Sequence, residues 1–254
     1  MQKTIYISNE IIEWDMLQAG AEEIIDEDLW KRSYEIWDHA CNRIEHANTS
    51  LDLADGISNL KRSLNQRLKL IESLYSLKDI KYKNMPKGYL EVLRDYKIVR
   101  PFIMQKLLNI RNNIEHNDAN PPELDNCKEW LDVIWYFLKS TDNIVKTKSI
   151  LTDFIMYDDE KETQYTYEIN IENYRYPFCG IRGRFPSCLF SLNKKCGYMK
   201  IYIEDLESKE EIQEKNKDIK HHDNKFDTDI NVSGKAELDS DTYRFMMEKI
   251  LSAF

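Results

Sequence analysis

The chain has 254 residues, of which 42% are hydrophobic and 32% charged, and its formal net charge is −9 at pH 7. This length and apolar content suit one large domain or two small ones with a hydrophobic core, while the acidic balance excludes a uniformly basic surface for nucleic acid. The 7 glycines and 6 prolines form no Gly-rich phosphate loop of either common type, which argues against nucleotide hydrolysis by a P-loop.

The five cysteines are scattered along the chain, without the close pairs that zinc-ribbon or redox motifs require. Their odd number and wide spacing predict reduced thiols. Glu10 interrupts the N-terminal segment before an apolar run reaches signal-peptide length, and nowhere do eighteen apolar residues follow one another. We therefore expect a cytoplasmic protein with no membrane association.

The first part of the chain has the apolar periodicity of helices. Apolar residues recur at helical spacing over 22–47 and again over 58–77, and we interpret Gly56 as the break between these two helices. Further helical segments follow, joined by short loops. The sequence thus predicts an all-α antiparallel helical bundle over residues 1–148.

The rest of the chain alternates between apolar and polar residues. The stretches 165–171 and 198–203 are typical of strands in a partly solvated sheet, and 241–253 is typical of a helix. Residues 204–226 are nearly all charged or amide and predict a flexible insertion. These features predict a smaller C-terminal α+β domain with an antiparallel sheet over 149–254, of unassigned role.

Charge is unevenly distributed along the sequence. Residues 1–58 hold 4 basic and 13 acidic residues, whereas 59–116 hold 13 basic and 5 acidic ones. The basic segment could supply phosphate contacts for RNA, and each of its members could equally belong to a solvated helix face. The residues that we predict to bind RNA are Arg62, Arg67, Lys69, Lys81, Lys83 and Lys97.

The stretch 107–116, Leu-Leu-Asn-Ile-Arg-Asn-Asn-Ile-Glu-His, places Arg111 and His116 five residues apart near the end of a predicted helix. An arginine binds phosphate through two parallel hydrogen bonds and stabilises developing negative charge, and a histidine moves a proton near neutral pH. Together they suit phosphodiester cleavage without a metal or other cofactor. The alternative is structural, with Arg111 capping the helix and His116 exposed in a loop.

The helical spacing of this pair sets a condition on its use. On a regular helix, positions five apart lie about 140° from each other, so Arg111 and His116 converge only if the helix loosens or bends. The following segment 117–122, Asn-Asp-Ala-Asn-Pro-Pro, is a strong turn signal. The sequence therefore predicts a bend at this end of the helix.

The run Arg111-Asn112-Asn113-Ile114-Glu115-His116 resembles the R-x4-6-H signature of the HEPN superfamily, in the form with a polar residue directly after the arginine. The likeness covers roughly residues 1–148. It implies a helical bundle that dimerises, so that two motifs form one composite site. No tyrosine stands two places after His116, so the likeness does not extend to the subfamily whose tyrosine is modified by a partner nucleotidyltransferase.

The resemblance also implies an activity and a setting. Many HEPN members are metal-independent endoribonucleases that leave a 2′,3′-cyclic phosphate and act in toxin–antitoxin systems, phage defence or RNA processing. Carried over, Arg111 would bind the phosphate, His116 would be general base or acid, and Asn112 would orient the pair or the substrate. The expected partners are RNA, with tRNA as one candidate, a second copy of the chain, and an antitoxin or regulatory protein. The alternative is a non-catalytic dimerisation module that binds RNA or a protein.

Two further groups in the second half have candidate roles. Cys179, Cys188, Cys196, His221 and His222 are of zinc-ligand type, but their gaps are long and we predict no metal site. A second segment interleaves basic and aromatic residues as single-strand binders do, although half-buried strand aromatics explain it equally well. That segment contains Arg175, Tyr176, Phe178, Arg182, Arg184 and Phe185.

Overall fold

The computed structural model describes residues 4–117, 119–160, 162–206 and 229–252. These residues divide into two compact units. The helical unit comprises 23–79 and the described part of 84–148. The sheet unit comprises 4–22, 80–83 and the described part of 149–252.

The helical unit is built from helices that bury one apolar stripe each. Its α-helices are α1 Glu27–Glu45, α2 Ser50–Tyr75, α3 Tyr89–Asp95, α4 Phe102–Asn117, α5 Leu124–Ser140 and α6 Asp142–Lys146. Helix α1 packs along α2, α5 packs on both, and α4 contacts α2 and α5. Fully buried Ile44, Leu64 and Ile134 belong to the core that these helices share.

Helix α2 begins eight residues before the predicted start of the second helix. A reciprocal cap defines this start: the Asp52 N–H donates to Thr49 Oγ1 at 3.3 Å and the Thr49 N–H donates to Asp52 Oδ2 at 3.0 Å. Gly56 therefore lies inside α2, and its interpretation as a helix break is wrong. It is buried where α1 and α2 approach, and an added Cβ would overlap Cγ1 of Ile44 and lie 3.0 Å from its Cδ1.

We expect Gly56→Ala to lower the free energy of unfolding by about 1–2 kcal/mol, although alanine is the better helix former. Overpacking a core costs about 1–3 kcal/mol and the gain in helix propensity offsets about 1 kcal/mol. Urea denaturation followed by circular dichroism measures the change. Lys69→Ala, at an exposed position of the same helix, is the control, and a Gly56→Ala protein as stable as the wild type would contradict the close packing.

The sheet unit contains an eight-stranded antiparallel sheet among the residues that the structure describes, in the order β2-β3-β4-β5-β8-β7-β1-β6. The strands are β1 Thr4–Ser8, β2 Asp15–Ile24, β3 Thr147–Asp158, β4 Thr163–Asn170, β5 Phe178–Phe185, β6 Phe190–Ser191, β7 Tyr198–Leu206 and β8 Ile230–Glu237. Helix α7, Ser240–Ser252, follows β8. Strands β4 and β7 coincide with the two stretches predicted from alternation. Residues 204–206 of the predicted insertion belong to β7, and its remaining residues 207–226 lie outside the described residues.

The prediction of an all-α bundle over residues 1–148 is wrong, because β1 and β2, within residues 4–24, are strands of this sheet. Ile5 pairs with Ile201 and Ile7 with Met199, so β1 is held by a strand far away in the sequence. Strand β2 contains Ala and Glu, which are poor strand formers, and its place at the sheet edge beside β3 overrides that local preference. The protein is therefore α+β from its first described residues onward.

The two faces of the sheet differ in burial, as alternation requires. One face is covered by α7 and by the short 3-10 helix Asn9–Glu13. Ile201 of β7, on this face, and Met246 of α7 are both fully buried. The opposite face keeps intermediate or exposed side chains on β5, β7 and β8. None of the described helices is both long and apolar enough to cross a bilayer.

Candidate functional site

Helix α4 carries the Arg111–His116 motif in its last two turns. It follows Pro101, whose carbonyl accepts a hydrogen bond from the Gln105 N–H at 3.0 Å, and a proline suits the start of a helix because its missing N–H is not needed there. Asn112 is exposed. The side chains of Arg111 and His116 lie outside the described part of the structure.

The backbone of α4 stays α-helical through Asn117. The loosening that would let Arg111 and His116 converge therefore does not occur before His116. Their positions lie about 140° apart around the helix axis. Positions 111 and 116 thus lie on different sides of one regular helix.

A basic cleft lies between α3 and the start of α4. Its volume is about 570 Å³, within the range of small-ligand pockets. The three cations in its lining come from the end of α3 and the connection to α4, and an exposed aromatic ring lies at the first position of α4. The residues that define this basic cleft are Arg94, Lys97, Arg100, Phe102, Glu91 and Gln105.

The balance of charge in the basic cleft is positive. Glu91 accepts a hydrogen bond from the side-chain amide of Gln105, and Arg94 pairs with Asp95 at 3.0 Å on the surface. Lys97 and Arg100 are exposed. The lining of the basic cleft therefore holds three cations against the one carboxylate of Glu91.

The exposed ring of Phe102 adds an apolar surface to these charges. Its relative exposure is 69%, and Lys106 Nζ lies 4.9 Å from the ring centroid. A cation beside an open aromatic ring is the combination with which proteins hold a phosphate and stack a base. The basic cleft therefore has the chemistry of a single-strand nucleic-acid contact.

The structure distributes the predicted RNA contacts over several places. Only Lys97 of the six lies in the basic cleft. Arg62 and Lys69 are exposed on α2, seven positions apart and so on one side of the helix. Lys81 and Lys83 are exposed in the sheet unit.

Arg67 is not a surface residue, so its predicted contact with RNA is wrong. Its side chain is 0% exposed, and both terminal nitrogens donate to Asp142 Oδ1 at 3.1 Å. The guanidinium also donates to the Leu138 carbonyl at 3.1 Å and to Thr141 Oγ1 at 3.2 Å. A signal was present in the sequence, because Arg67 continues the stripe of Leu60, Leu64 and Ile71 at spacings of three and four.

Asp142 completes this buried cluster. Its Oδ2 accepts hydrogen bonds from Tyr34 Oη and Lys146 Nζ, each at 2.9 Å. Burial alone would raise the pKa of the Asp142 carboxyl, but the hydrogen bonds from Lys146, Tyr34 and Arg67 outweigh it and hold the pKa below its ordinary value. The cluster ties α1, α2 and α6 together and is structural.

Arg94, Arg100 and Phe102 are the cleft residues that sequence reasoning missed. Arg94, Lys97 and Arg100 recur every three residues, and Phe102 follows two residues after the last of them. The regular spacing of these cations is visible in the sequence. Whether they share one surface depends on the path of the connection between α3 and α4, which periodicity does not predict.

The candidate zinc ligands do not gather in the residues that the structure describes. Cys179 is buried, which raises the pKa of its thiol to about 12, whereas Cys188 and Cys196 are exposed. His221 and His222 lie outside the described residues. Within 4–117, 119–160, 162–206 and 229–252, no group of three or more His, Cys, Asp or Glu side chains is placed to hold a metal.

Comparison of the chain with family models, with curated proteins and with solved structures found no match.

Proposed function

We propose that the chain is a metal-independent endoribonuclease of the HEPN type, which cleaves RNA by attack of a 2′-hydroxyl on the adjacent phosphate. The observation that carries the proposal is one helix with two features. Helix α4 starts at the basic cleft and ends with the Arg111–His116 motif. An RNA strand bound in the basic cleft would extend along α4 to the Arg111–His116 motif.

The distance along α4 suits a short run of nucleotides. At 1.5 Å per residue, about 21 Å separate Phe102 from position 116 along the axis. Phe102, Lys106, Asn109 and Asn113 are exposed and fall on successive turns of one side of the helix. Position 116 continues the same side, so a polar track runs from the basic cleft to the proposed proton-transfer residue.

The proposed chemistry needs one phosphate-binding group and two proton transfers. Arg111 would hold the scissile phosphate and stabilise the charge that develops on it. His116 would take the proton of the 2′-hydroxyl or give one to the leaving 5′-oxygen. Asn112, directly after the arginine, would orient the substrate.

The regularity of α4 favours a homodimer as the active species. Because positions 111 and 116 lie about 140° apart on one helix, a second copy of α4 is the simplest source of a complementary Arg or His. Two histidines at such an interface would divide the roles of base and acid. On the resemblance to HEPN proteins, we place the activity in toxin–antitoxin or anti-phage defence, with tRNA as one candidate substrate and an antitoxin or regulatory protein as a further partner.

The same regularity also favours a second candidate function. A chain whose motif does not assemble on one helix would serve as a non-catalytic dimerisation module that binds RNA or a protein through the basic cleft. This module would bind RNA without cleaving it.

The test is incubation of the purified chain with total RNA and with a tRNA pool in EDTA. We expect cleavage products that end in a 2′,3′-cyclic phosphate, since the 2′-hydroxyl is the nucleophile. Intact RNA across neutral pH and all substrates, with binding retained, would select the module instead.

A variant of the basic cleft tests the path to the motif. We expect Arg100→Gln to raise KM for RNA about tenfold and to leave kcat nearly unchanged, because Arg100 would bind substrate without touching the reacting phosphate. Lys87→Gln, which removes an exposed cation outside the basic cleft, is the matched control. Equal KM values for the two variants would show that the basic cleft does not bind the RNA substrate.

A further inference from the structure

The sheet unit presents a second surface that combines aromatic rings and cations. Strand register places Lys235 of β8 opposite Gly180 of β5 and Tyr202 of β7, so all three lie on the same face. This is the face that α7 leaves uncovered. We call it the open face, and its defining side chains are Phe178, Arg182, Lys200, Tyr202 and Lys235.

The rings and lysines of the open face are in contact with one another. Lys235 Nζ lies 3.6 Å from the Phe178 ring centroid. The rings of Phe178 and Tyr202 meet edge to face, with centroids 6.4 Å apart. Lys200 Nζ donates to Tyr202 Oη at 3.0 Å. Two rings and two ammonium groups thus form one continuous strip across three strands.

Two of the cations on this face keep their charge available. Arg182 and Lys235 make no ion pair with a carboxylate of the described residues, although Glu168 stands opposite Arg182 in the strand register. Glu237 lies on the same face, opposite Phe178 and Lys200 in the strand register, and its carboxylate accepts a hydrogen bond from Tyr202 Oη at 2.5 Å. Arg184, by contrast, pairs with Asp229 at 2.7 Å.

The open face continues into a pocket at the start of β5, which we call the loop pocket. Its volume is about 520 Å³, enough for a ligand of nucleotide size. Phe178 and Lys235 belong to both surfaces, and the connection between β4 and β5 supplies two tyrosines, an arginine and a carboxylate. The loop-pocket residues beyond the shared pair are Tyr174, Arg175, Tyr176, Glu172 and Asn173.

We propose that the open face and the loop pocket together bind a short single-stranded segment of RNA, with bases against the rings and phosphates on Arg182 and Lys235. Stacking requires unpaired bases, because a duplex hides the flat faces of its bases from protein side chains. Buried Phe185, which the sequence grouped with these residues, belongs to the core and takes no part. The inference shares with the proposed ribonuclease only its ligand class, since this surface would bind RNA whether or not the chain cleaves it.

The test is direct binding of a fluorescein-labelled 12-nucleotide 2′-O-methyl oligouridylate to the full chain, measured by fluorescence anisotropy. The methyl group blocks the 2′-hydroxyl, so the probe survives even if the chain is a ribonuclease of the proposed kind. We expect Phe178→Leu to weaken binding about tenfold, since the ring is lost and the apolar volume is kept. The double variant Arg182→Ala/Lys235→Ala should lower the slope of log Kd against log salt by about 0.7 for each lost phosphate contact.

A photocrosslink separates this surface from the basic cleft. With 5-iodouridine in the probe, we expect adducts in the peptide that spans Glu172–Arg184. Lys194→Ala, at an exposed lysine outside the open face, is the matched control and should bind as the wild type does. The proposal is overturned if Phe178→Leu and the double variant bind within twofold of the control, if a duplex of equal length binds as well, or if adducts form only in α4.

Discussion

Replacing Arg67 with methionine is expected to lower the free energy of unfolding by about 3–5 kcal/mol, the usual result of breaking a buried ion pair from one side. The Asp142 carboxylate would remain buried while it loses both guanidinium hydrogen bonds. Tyr34 and Lys146 would still donate hydrogen bonds to its other oxygen. This remaining stabilisation is the reason for the lower end of the range, about 3 kcal/mol. Guanidinium denaturation followed at 222 nm measures the loss.

Two further variants test whether loss of the Arg67–Asp142 ion pair causes the change in the free energy of unfolding. Lys69→Met, two residues along α2 and exposed, should change stability by less than about 0.5 kcal/mol. Arg67→Met/Asp142→Leu should recover most of the loss, because apolar residues of similar volume replace a buried pair at little net cost. A single Arg67→Met variant that unfolds like the wild type would show that Arg67 is not buried against Asp142.

The same ion pair gives a stability difference that depends on pH. The folded state holds the pKa of Asp142 below the ordinary carboxyl value of 3.8, so the pair stabilises the protein fully above that value. Its contribution is lost as the pH falls through the lower pKa of the folded state. The difference between wild type and Arg67→Met should therefore be largest near pH 6 and shrink below about pH 4.

The helices of the helical unit were predictable because each buries one stripe at a regular spacing. Ile36, Ala40 and Ile44 mark α1 in the sequence, and all three are buried in the structure. The start of α2 was mistaken because a glycine inside a helix resembles a break. Its actual role, close contact with Ile44, depends on a neighbouring helix that local sequence does not contain.

The strands β1 and β2 were not predictable in the same way. A strand of five residues with two buried isoleucines carries little periodic signal. What makes Thr4–Ser8 a strand is hydrogen bonding to β7, nearly 200 residues later. The sheet thus depends on long-range strand pairing, and the local sequence around β1 does not identify β7 as its partner strand.

The candidate site shows the same division between local and tertiary information. The basic segment predicted phosphate contacts, and of the residues named there Lys97 lines the basic cleft. Charge alone could not separate Lys97 from Arg67, which is buried with Asp142. Burial depends on which side of α2 faces the neighbouring helices. The apolar residues at helical spacing around Arg67 are therefore a better guide to its burial than its charge is.

Replacing His116 with alanine is expected to slow RNA cleavage by about 10²–10⁴-fold, the usual contribution of a general acid or base. Arg111→Ala should lose a comparable factor through the unbound phosphate, and Arg111→Lys should restore little, because an ammonium group does not bind a phosphate bidentately. The measurement is the single-turnover rate on labelled RNA in EDTA. His39→Ala, at an exposed histidine of α1, is the matched control and should cleave at the wild-type rate.

Mixing the Arg111→Ala and His116→Ala variants tests the proposed homodimer. If the site takes Arg111 from one chain and His116 from the other, a mixed dimer of Arg111→Ala and His116→Ala retains one complete site. Random pairing makes half of the dimers mixed, so the mixture should recover about a quarter of the wild-type rate. No recovery, with both variants folded and dimeric, would mean that each site draws both groups from one chain. In that case α4 must bend after all when RNA binds, because its regular backbone holds the two positions about 140° apart.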